Sequence, residues 1–281
     1  MKKKIRRFIE IKQNKSTTHA LSSTMSYIKY RFSLPDKQDI YWNIKGGTQT
    51  LSIDEVSAEF DATTDRGGHK IRWMFDAEEQ FLKDIINELD EDDIFFDIGA
   101  NLGIFSCFAA SVITQGHIVA FEPYPPNFHQ LKQNISYNTN ESNYTTLEVA
   151  LSDSNGIINF TSPDGDPGNQ TANISPTGDS IEVKEVTGDK LVDGGSIPAP
   201  TVVKLDVEGA EPRVIDGLEE SLNNSSCRLF YCEIHLPTEY RPSAEDYGES
   251  VESILRKITE LGFDIVYNET RGNEVHVKAT K

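Results

Sequence analysis

Short apolar runs alternate with amphipathic stretches along most of the chain from residue 77 onward. Buried parallel strands are typically continuous apolar runs, whereas helices place apolar residues three or four positions apart. The pattern predicts core strands at 94–98, 117–122, 145–151, 201–206 and 229–234, with closing strands at 264–267 and 274–277. Helices are predicted at 77–89, 102–113, 125–137, 212–222 and 244–261. Such alternation predicts an α/β fold with a mostly parallel sheet and helices on both faces.

The alternation breaks between residues 154 and 195, after the third predicted core strand. Apolar residues at 157–160 and 181–186 predict two antiparallel strands, and segment 162–169 between them has the Pro, Gly and Asp content of a loop. An insertion here would overhang the carboxyl ends of the sheet strands, where open α/β sheets bind ligands. Segment 154–195 is therefore interpreted as a β insertion that forms a substrate lid, with a plain surface loop as the alternative.

Residues 1–76 precede this pattern and are predicted to form an N-terminal extension, a basic tail followed by short strands. The strands are predicted at 40–44 and 48–53 around a Gly-Gly pair, which is a hairpin signal. A chain of 281 residues can bury a full core, so residues 77–281 are predicted to form one catalytic domain.

Charge is distributed unevenly along the chain. The net charge is −18, but residues 1–15 hold seven Lys or Arg and one Glu, a local net of +6, so the remainder carries −24. Such an acidic body argues against nucleic acid as a partner. It suits a salt-adapted cytoplasm, where dense carboxylates keep a protein hydrated, or an ordinary acidic enzyme. The basic tail is predicted either to touch an anionic membrane surface weakly or to remain solvated.

Other features of the composition favour a cytoplasmic protein. No apolar stretch reaches the roughly 18 residues of a membrane span. The cysteines, Cys107, Cys227 and Cys232, are odd in number and lack metal-ligand spacing, which fits a reducing compartment better than a disulfide framework. None of these features indicates an oligomeric state.

A glycine-rich loop follows the first core strand. Gly99 and Gly103 allow a tight turn and a close approach of the backbone to a ligand, and Asp97 precedes them. Glu122 ends the next strand, where a carboxylate can accept hydrogen bonds from both hydroxyls of a ribose. The loop and Glu122 together predict a nucleoside site, whereas the loop alone is compatible with a simple strand-to-helix turn.

The loop differs from a dinucleotide-binding loop, which uses three glycines to seat a pyrophosphate on a helix N-terminus. Asn101 occupies the position of the middle glycine, and the carboxylate of Asp97 would repel a phosphate. S-adenosylmethionine (SAM) fits better because it joins an adenosine to a sulfonium and an ammonium without phosphates. The sequence thus disfavours a nicotinamide-dependent oxidoreductase.

Polar residues follow the fourth and fifth core strands. Lys204, Asp206 and Glu208 share one face while the chain stays extended, as do Glu233 and His235 on the neighbouring strand. Adjacent parallel strands would therefore bring carboxylates and an imidazole together at the carboxyl edge of the sheet.

Two chemical interpretations of this group remain open. In the first, His235 or Asp206 accepts a proton from the acceptor hydroxyl, and Lys204 pairs with a neighbouring acid. In the second, Asp206, Glu208 and Glu233 hold a Mg²⁺-like ion that lowers the pKa of the hydroxyl. The metal-free interpretation is favoured because strict ligand spacing is absent.

A further acid, Glu211, is either part of this group or a cap of the following helix, where acidic residues in the first turn are favourable.

Five motifs in order resemble those of the FkbM family of SAM-dependent methyltransferases. They are Phe96 to Gly103, Ala120 to Pro123, Ala150 to Asp153, Val203 to Glu211, and Cys232 to His235. The resemblance covers about residues 77–236. It implies a Rossmann-like class I methyltransferase fold, a seven-stranded sheet whose last strand is antiparallel, and SAM as cofactor. It also implies O-methylation of a hydroxyl on a sugar, glycan or related small molecule.

The resemblance assigns roles to residues at matching positions. Asp97 would lie near the methionyl amine, and Glu122 would bind the ribose. Asp153 would bond the adenine amino group, with a solvated loop aspartate as the alternative. The cofactor set is Asp97, Gly99, Asn101, Gly103, Glu122 and Asp153, and the catalytic set is Lys204, Asp206, Glu233 and His235.

Other functional classes fit the sequence less well. A catalytically silent SAM- or nucleoside-binding interaction module would need only the cofactor residues, so the presence of the catalytic set favours an enzyme. A nucleic-acid methyltransferase would carry an Asn/Asp-Pro-Pro-aromatic motif after the fourth strand, where Asp206-Val207-Glu208-Gly209 stands instead.

Overall fold

A computed structural model describes residues 47–63, 65–161, 173–174, 180–238 and 241–281. Its strands are β1 (Thr48–Ile53), β2 (Val56–Asp61), β3 (Ile94–Ile98), β4 (His117–Phe121), β5 (Tyr144–Leu147), β6 (Ala150–Leu151), β7 (Gly156–Thr161), β8 (Asn173–Ile174), β9 (Ser180–Val186), β10 (Val202–Leu205), β11 (Leu229–His235), β12 (Asp264–Arg271) and β13 (Glu274–Thr280). Its α-helices are α1 (Asp65–Glu88), α2 (Ile104–Ala109), α3 (Pro125–Ser136), α4 (Gly188–Asp193), α5 (Glu211–Asp216), α6 (Glu219–Asn223) and α7 (Val251–Glu260), with 3₁₀ turns at Glu141–Asn143 and Ala244–Tyr247.

A seven-stranded sheet forms the centre of the described chain, in the order β12-β13-β11-β10-β3-β4-β5. The pairs from β11 through β5 are parallel, whereas β13 is antiparallel to both of its neighbours. The predicted α/β fold with a mostly parallel seven-stranded sheet and an antiparallel last strand is therefore confirmed.

The two faces of the sheet bury separate apolar layers because successive side chains of a strand point to opposite faces. Phe95 of β3 and Tyr231 of β11 pack with α1 and the β1–β2 hairpin on one face. Phe96 and Phe230, their neighbours in sequence, pack with α7 on the other face. The polar side chains near the ends of these strands also point alternately to the two faces of the sheet.

Helix α1 begins at Asp65, twelve residues before the predicted start at 77, so the predicted division at residue 76 falls inside a helix. Gly67 and Gly68, which have poor helix propensity, interrupt the amphipathic pattern that predicts the helix. The residues of the predicted extension that the structure describes also share a core with the sheet, since Leu51 and Phe60 pack in the same cluster as Phe95.

The described part of the extension contains a hairpin that the sequence pattern does not predict. Thr48–Ile53 is a strand as predicted, but it pairs with the unpredicted strand β2 across a turn at Asp54. The basic tail and the predicted strand at 40–44 lie outside the described residues.

The predicted insertion contains the expected antiparallel pair, β7 with β9. The single strand predicted at 145–151 is instead two strands, because β5 ends the central sheet and β6 joins a second sheet in the order β6-β9-β7-β8. The chain therefore changes sheets at Glu148-Val149, beside the edge where ligands bind in such folds.

Three predicted helices are shorter than expected, beginning with the one predicted at 102–113, of which only Ile104–Ala109 is α-helical. The segment 212–222 divides into α5 and α6, and the segment 244–261 divides into a 3₁₀ turn and α7. None of the helices in the described ranges is long and apolar enough to span a bilayer.

The amino edge of the sheet is fastened by Asp93. The buried carboxylate of Asp93 accepts a hydrogen bond of 2.6 Å from Oγ1 of Thr201, and it pairs with Arg228. This network lies at the opposite end of the strands from the predicted site.

Candidate active site

The glycine loop touches the segment that follows β10. Gly99 has a φ of +78°, and a Cβ built on it would lie 1.7 Å from the carbonyl oxygen of Asp206. The backbone N–H of Asp206 donates to the carbonyl of Ile98 at 3.0 Å. Only glycine fits this close approach and left-handed conformation, which explains its position two residues after Asp97.

Glu122 fixes the other side of the loop. Its Oε2 accepts the backbone N–H of Asn101 at 2.8 Å, and its Oε1 accepts that of Tyr124 at 2.8 Å. Asn101 itself has a φ of +51°. Burial raises the pKa of Glu122 to about 7, although both backbone bonds favour the ionised form. The predicted association of Glu122 with the glycine loop is a direct contact in the structure.

Asp97 lies behind the loop. Its Oδ2 accepts hydrogen bonds from Oγ and N of Ser106, at 2.6 and 3.1 Å. Its Oδ1 has no hydrogen-bond partner among the described residues and lies 3.5 Å from Nζ of Lys204. The side chain is completely buried.

Lys204 lies between the glycine loop and Asp206. Its Nζ donates to the carbonyl of Gly99 at 3.3 Å and lies 3.6 Å from Oδ2 of Asp206. Phe105 places its ring 4.7 Å from this nitrogen. Burial disfavours the ammonium, but Asp97, Asp206 and further carboxylates outweigh that effect and raise the pKa of Lys204. Lys204 is therefore a buried cation that cannot accept a proton near neutral pH.

An open cleft of about 730 Å³, which includes the solvent at its mouth, lies between the loop and the insertion. Its lining residues are Ile98, Gly99, Asn101, Phe121, Glu122, Pro123, Asn127, Val149, Ala150, Leu151, Phe160, Asp206, Val207, Glu208, Ala210 and Tyr247. Those with ionisable acidic groups are Glu122, Asp206 and Glu208, and the lining contains no Lys or Arg among the described residues. The cavity thus combines an apolar slot with an acidic rim.

Asp153 does not line this cavity. Its Oδ1 accepts from Nε and Nη2 of Arg213 at 2.9 and 2.7 Å, and these bonds lower the pKa of Asp153. Arg213 also lies 3.3 Å from Glu185 of β9. Arg213 thus engages the carboxylate to which the resemblance assigns the adenine amino group, and it connects that carboxylate and Glu185 to α5. The adenine contact of Asp153 stays a prediction.

His235 lies within a ring of carboxylates. Its Nδ1 is 2.7 Å from Oε1 of Glu211, and its Nε2 is 3.4 Å from Glu208 and 3.8 Å from Asp206. Burial alone would lower the pKa of His235, but these partners raise it to about 10. The imidazole is therefore protonated near neutral pH, and a protonated ring cannot serve as a general base.

Glu211 lies in the first turn of α5, where an acidic side chain is favourable. Its Oε1 accepts the backbone N–H of Gly209, which precedes the helix, at 2.8 Å. The same oxygen pairs with His235.

Glu233 does not share a close group of ligand atoms with Asp206 and Glu208, the other two residues of the metal site considered from the sequence. Its neighbour is His276 of β13, at 3.5 Å, and a ligand atom of Glu78 from α1 lies close to both. Asp206 and Glu208 are grouped with His235 instead. Glu233 and His235 point into different groups because β13 lies beside β11, a neighbour that spacing along the chain does not reveal.

The sequence patterns do not single out Glu78, His276, Phe160 or Tyr247. Glu78 carries a signal, since it lies three and four residues before Phe81 and Leu82, on the apolar stripe of its helix. The other residues depend on contacts between distant segments.

The strand order, the glycine loop after β3 and the acid at the end of β4 define a Rossmann-like methyltransferase of class I. The chain belongs to the FkbM methyltransferase family, since a model of the methyltransferase FkbM domain matches residues 97–265. Family membership also favours an enzyme over a silent binding module.

The chain is also similar to proteins that are named as methyltransferases. The hexuronic acid methyltransferase AglP of Haloferax volcanii is 32% identical over 221 residues, which cover 78% of this chain and 88% of AglP. The 31-O-demethyl-FK506 methyltransferase FkbM of Streptomyces tacrolimicus is 25% identical, covering 69% of this chain and 82% of that protein. Among solved structures, fibrillarin in its complex with Nop5p is 12% identical with a TM-score of 0.46, covering 83% of this chain and 97% of fibrillarin.

Proposed function

We propose that this methyltransferase takes its methyl group from SAM and transfers it to a hydroxyl of a sugar or glycan. The charge of the cavity carries the proposal. The lining that the structure describes offers carboxylates and no Lys or Arg, which suits a cationic nucleoside and disfavours a phosphorylated one.

The residues present fit SAM as follows. The two oxygens of Glu122 each accept one backbone bond and retain a lone pair for a ribose hydroxyl. The apolar slot between Phe121 and Leu151 suits the adenine. Asp97 lies outside the cavity lining with Oδ1 3.5 Å from Lys204, so its role toward the methionyl ammonium is proposed to act through charge and not through direct contact. When bound, SAM supplies an activated methyl group on its sulfonium.

Asp206 is the proposed general base. It lines the cavity and stands between two cations, with Oδ2 3.6 Å from Lys204 and Oδ1 3.8 Å from His235. Lys204 and His235 are already protonated near neutral pH, so among these three groups the carboxylate of Asp206 is the one that can receive the hydroxyl proton. Lys204 and His235 then hold that carboxylate in position and balance its charge.

The sugar acceptor is supported by the relative AglP, whose name describes a hexuronic acid methyltransferase. A basic side chain also stands close to the cavity, since Nη1 of Arg241 lies 2.9 Å from Oε2 of the lining residue Glu208. Its partly exposed guanidinium offers a partner for the carboxylate of an acidic sugar.

Incubation of the purified protein with methyl-labelled SAM and oligosaccharides that end in a hexuronic acid tests this function. Label is expected on the sugar as a base-stable ether. Label on the carboxyl group, as a base-labile ester, would contradict hydroxyl methylation. Absence of SAM binding by calorimetry would contradict the cofactor assignment.

A further inference from the structure

We propose that Glu78, Glu233 and His276 form a binding site for a divalent transition-metal ion outside the SAM cavity. Glu78 comes from α1, Glu233 from β11 and His276 from β13. Glu233 and His276 are direct partners in the antiparallel β11–β13 pair, with 3.5 Å between Oε2 and Nε2. One ligand atom from each residue lies within 4.8 Å of the others, and none of the three lines the cavity. The inference does not depend on the proposed methyl transfer.

Several polar atoms of these three side chains lack hydrogen-bond partners, which points to a bound ligand independently of the distances. Oε2 of Glu78, Oε1 of Glu233 and both ring nitrogens of His276 lack a hydrogen-bond partner among the described residues. Glu233 and His276 are each only 2% exposed. Native interiors rarely leave buried polar atoms unpaired, since each costs about 1–3 kcal/mol. A cation bound between these side chains would satisfy several of them together.

The charge around the group also favours a cation. The Glu78 and Glu233 carboxylates lie close enough to Asp206 and Glu274 to be destabilised by them. A divalent ion supplies the missing positive charge, whereas a proton shared by the two carboxyls is the competing arrangement.

The donor set indicates the class of metal. One imidazole and two carboxylates suit Zn²⁺ or Mn²⁺, whereas Mg²⁺ and Ca²⁺ prefer oxygen ligands throughout. The ring of Phe81 lies 4.5 Å from that of His276 at an angle of 63°, which limits rotation of the imidazole. The ion would therefore connect α1 to β11 and β13 beside the acceptor edge of the sheet.

Metal titration of the chelator-treated, full-length protein tests the site. Zn²⁺ measured against a coloured competing chelator, and Mn²⁺ measured by electron paramagnetic resonance, are expected to bind with one equivalent per chain. Glu78→Gln and His276→Asn should each weaken binding at least tenfold. The matched controls Glu79→Gln, on the exposed side of α1, and His129→Asn, on the surface of α3, should leave affinity within twofold.

Thermal unfolding gives a second measurement, because Zn²⁺ should raise the melting temperature of the wild type and of Glu79→Gln but not of Glu78→Gln. If a variant fails to fold, the change in the melting temperature of the wild type with Zn²⁺ still tests the site. Absence of binding to the wild type would overturn the site and favour the shared proton. Binding lost in Glu208→Gln but retained in Glu78→Gln would also overturn it, since the ion would then lie beside His235.

Discussion

Nδ1 of His235 lies 2.7 Å from Oε1 of Glu211, and that same oxygen accepts the backbone N–H of Gly209. Two elements are joined by this one oxygen, since His235 ends β11 and Glu211 begins α5. The contact keeps the imidazole charged and places that charge beside Asp206. The carboxyl edge of the sheet therefore carries a protonated His235 near neutral pH, whereas the sequence alone allowed His235 to be a general base.

Stability is expected to fall with rising pH because of His235. Its pKa is raised from 6.5 to about 10, so its contribution is fully present below pH 6.5 and disappears as the pH approaches 10. His235→Gln should therefore be less stable than wild type at pH 6.5, by on the order of a few kcal/mol, with a gap that narrows by pH 9.5. Urea unfolding at several pH values measures this gap. The control His129→Gln, on the surface of α3, should show none, and a pH-independent gap for His235→Gln would contradict the assignment.

Cofactor affinity should depend on the ionisation of Glu122. The pKa of Glu122 is about 7, and only its ionised form accepts hydrogen bonds at every site, so affinity should increase between pH 6 and pH 8. Glu122→Gln should bind about 10- to 100-fold more weakly at pH 8, through loss of charge-assisted bonds, and should lose the pH dependence. Calorimetry with S-adenosylhomocysteine measures both effects. The exposed neighbour Glu148 offers the control Glu148→Gln, and equal affinities in both variants would refute the ribose role.

Asp206→Asn is expected to reduce kcat about 10²- to 10⁴-fold, because the amide cannot receive the acceptor proton. Affinity for S-adenosylhomocysteine should remain within threefold, since no cofactor bond is assigned to that carboxylate. Steady-state kinetics with the labelled donor measure the first quantity, and calorimetry measures the second. Asp92→Asn, an exposed change at the other edge of the sheet, should behave as wild type. An unchanged kcat in Asp206→Asn would exclude its role as base.

Gly99→Ala should be strongly destabilising because its Cβ would lie 1.7 Å from the carbonyl oxygen of Asp206. The expected loss exceeds about 2 kcal/mol, beyond the roughly 1–2 kcal/mol that a left-handed alanine costs by itself. Gly272→Ala separates the two effects, since Gly272 also has a positive φ but a Cβ added there would meet nothing within 4 Å. Chemical denaturation of both variants measures the two losses in the free energy of unfolding. Equal losses would contradict the prediction, since the clash with the Asp206 carbonyl would then add nothing.

Asp93→Ala should lower the free energy of unfolding by about 3 kcal/mol, because it removes the buried carboxylate that accepts from Thr201 and pairs with Arg228. The site lies at the opposite edge of the sheet, so kcat at a temperature where the variant is folded should match wild type. Thermal unfolding combined with kinetics tests this separation. A kcat that falls with stability would show that the two edges are coupled.

Local patterns made part of the fold predictable. Buried strands such as Ile94–Ile98 are continuous apolar runs, and Gly99 and Glu122 end consecutive strands, so their proximity follows from the βαβ connection. The start of α1 was not predictable by periodicity because Gly67 and Gly68 interrupt the pattern. The change of sheet at Glu148-Val149 likewise leaves no trace in the alternation of residues.

The rest of the site could not be predicted from the sequence, because it depends on contacts between segments that are far apart along the chain. His276 meets Glu233 only because β13 lies between β11 and β12, which is a property of strand order. Asp153 is held by Arg213, 60 residues away along the chain. The sequence thus indicated which chemical groups gather at the edge of the sheet, but not which of them pair.

The close approach of Gly99 to the carbonyl of Asp206 holds the glycine loop against the end of β10. Because this approach is between backbone atoms, it does not depend on side-chain rotamers, and it fixes the distance between the loop and Asp206. A redesign of the acceptor range should therefore leave this junction intact and vary residues across the cavity, such as Phe160 and Tyr247. The geometry of methyl delivery would then be inherited unchanged by every redesigned variant.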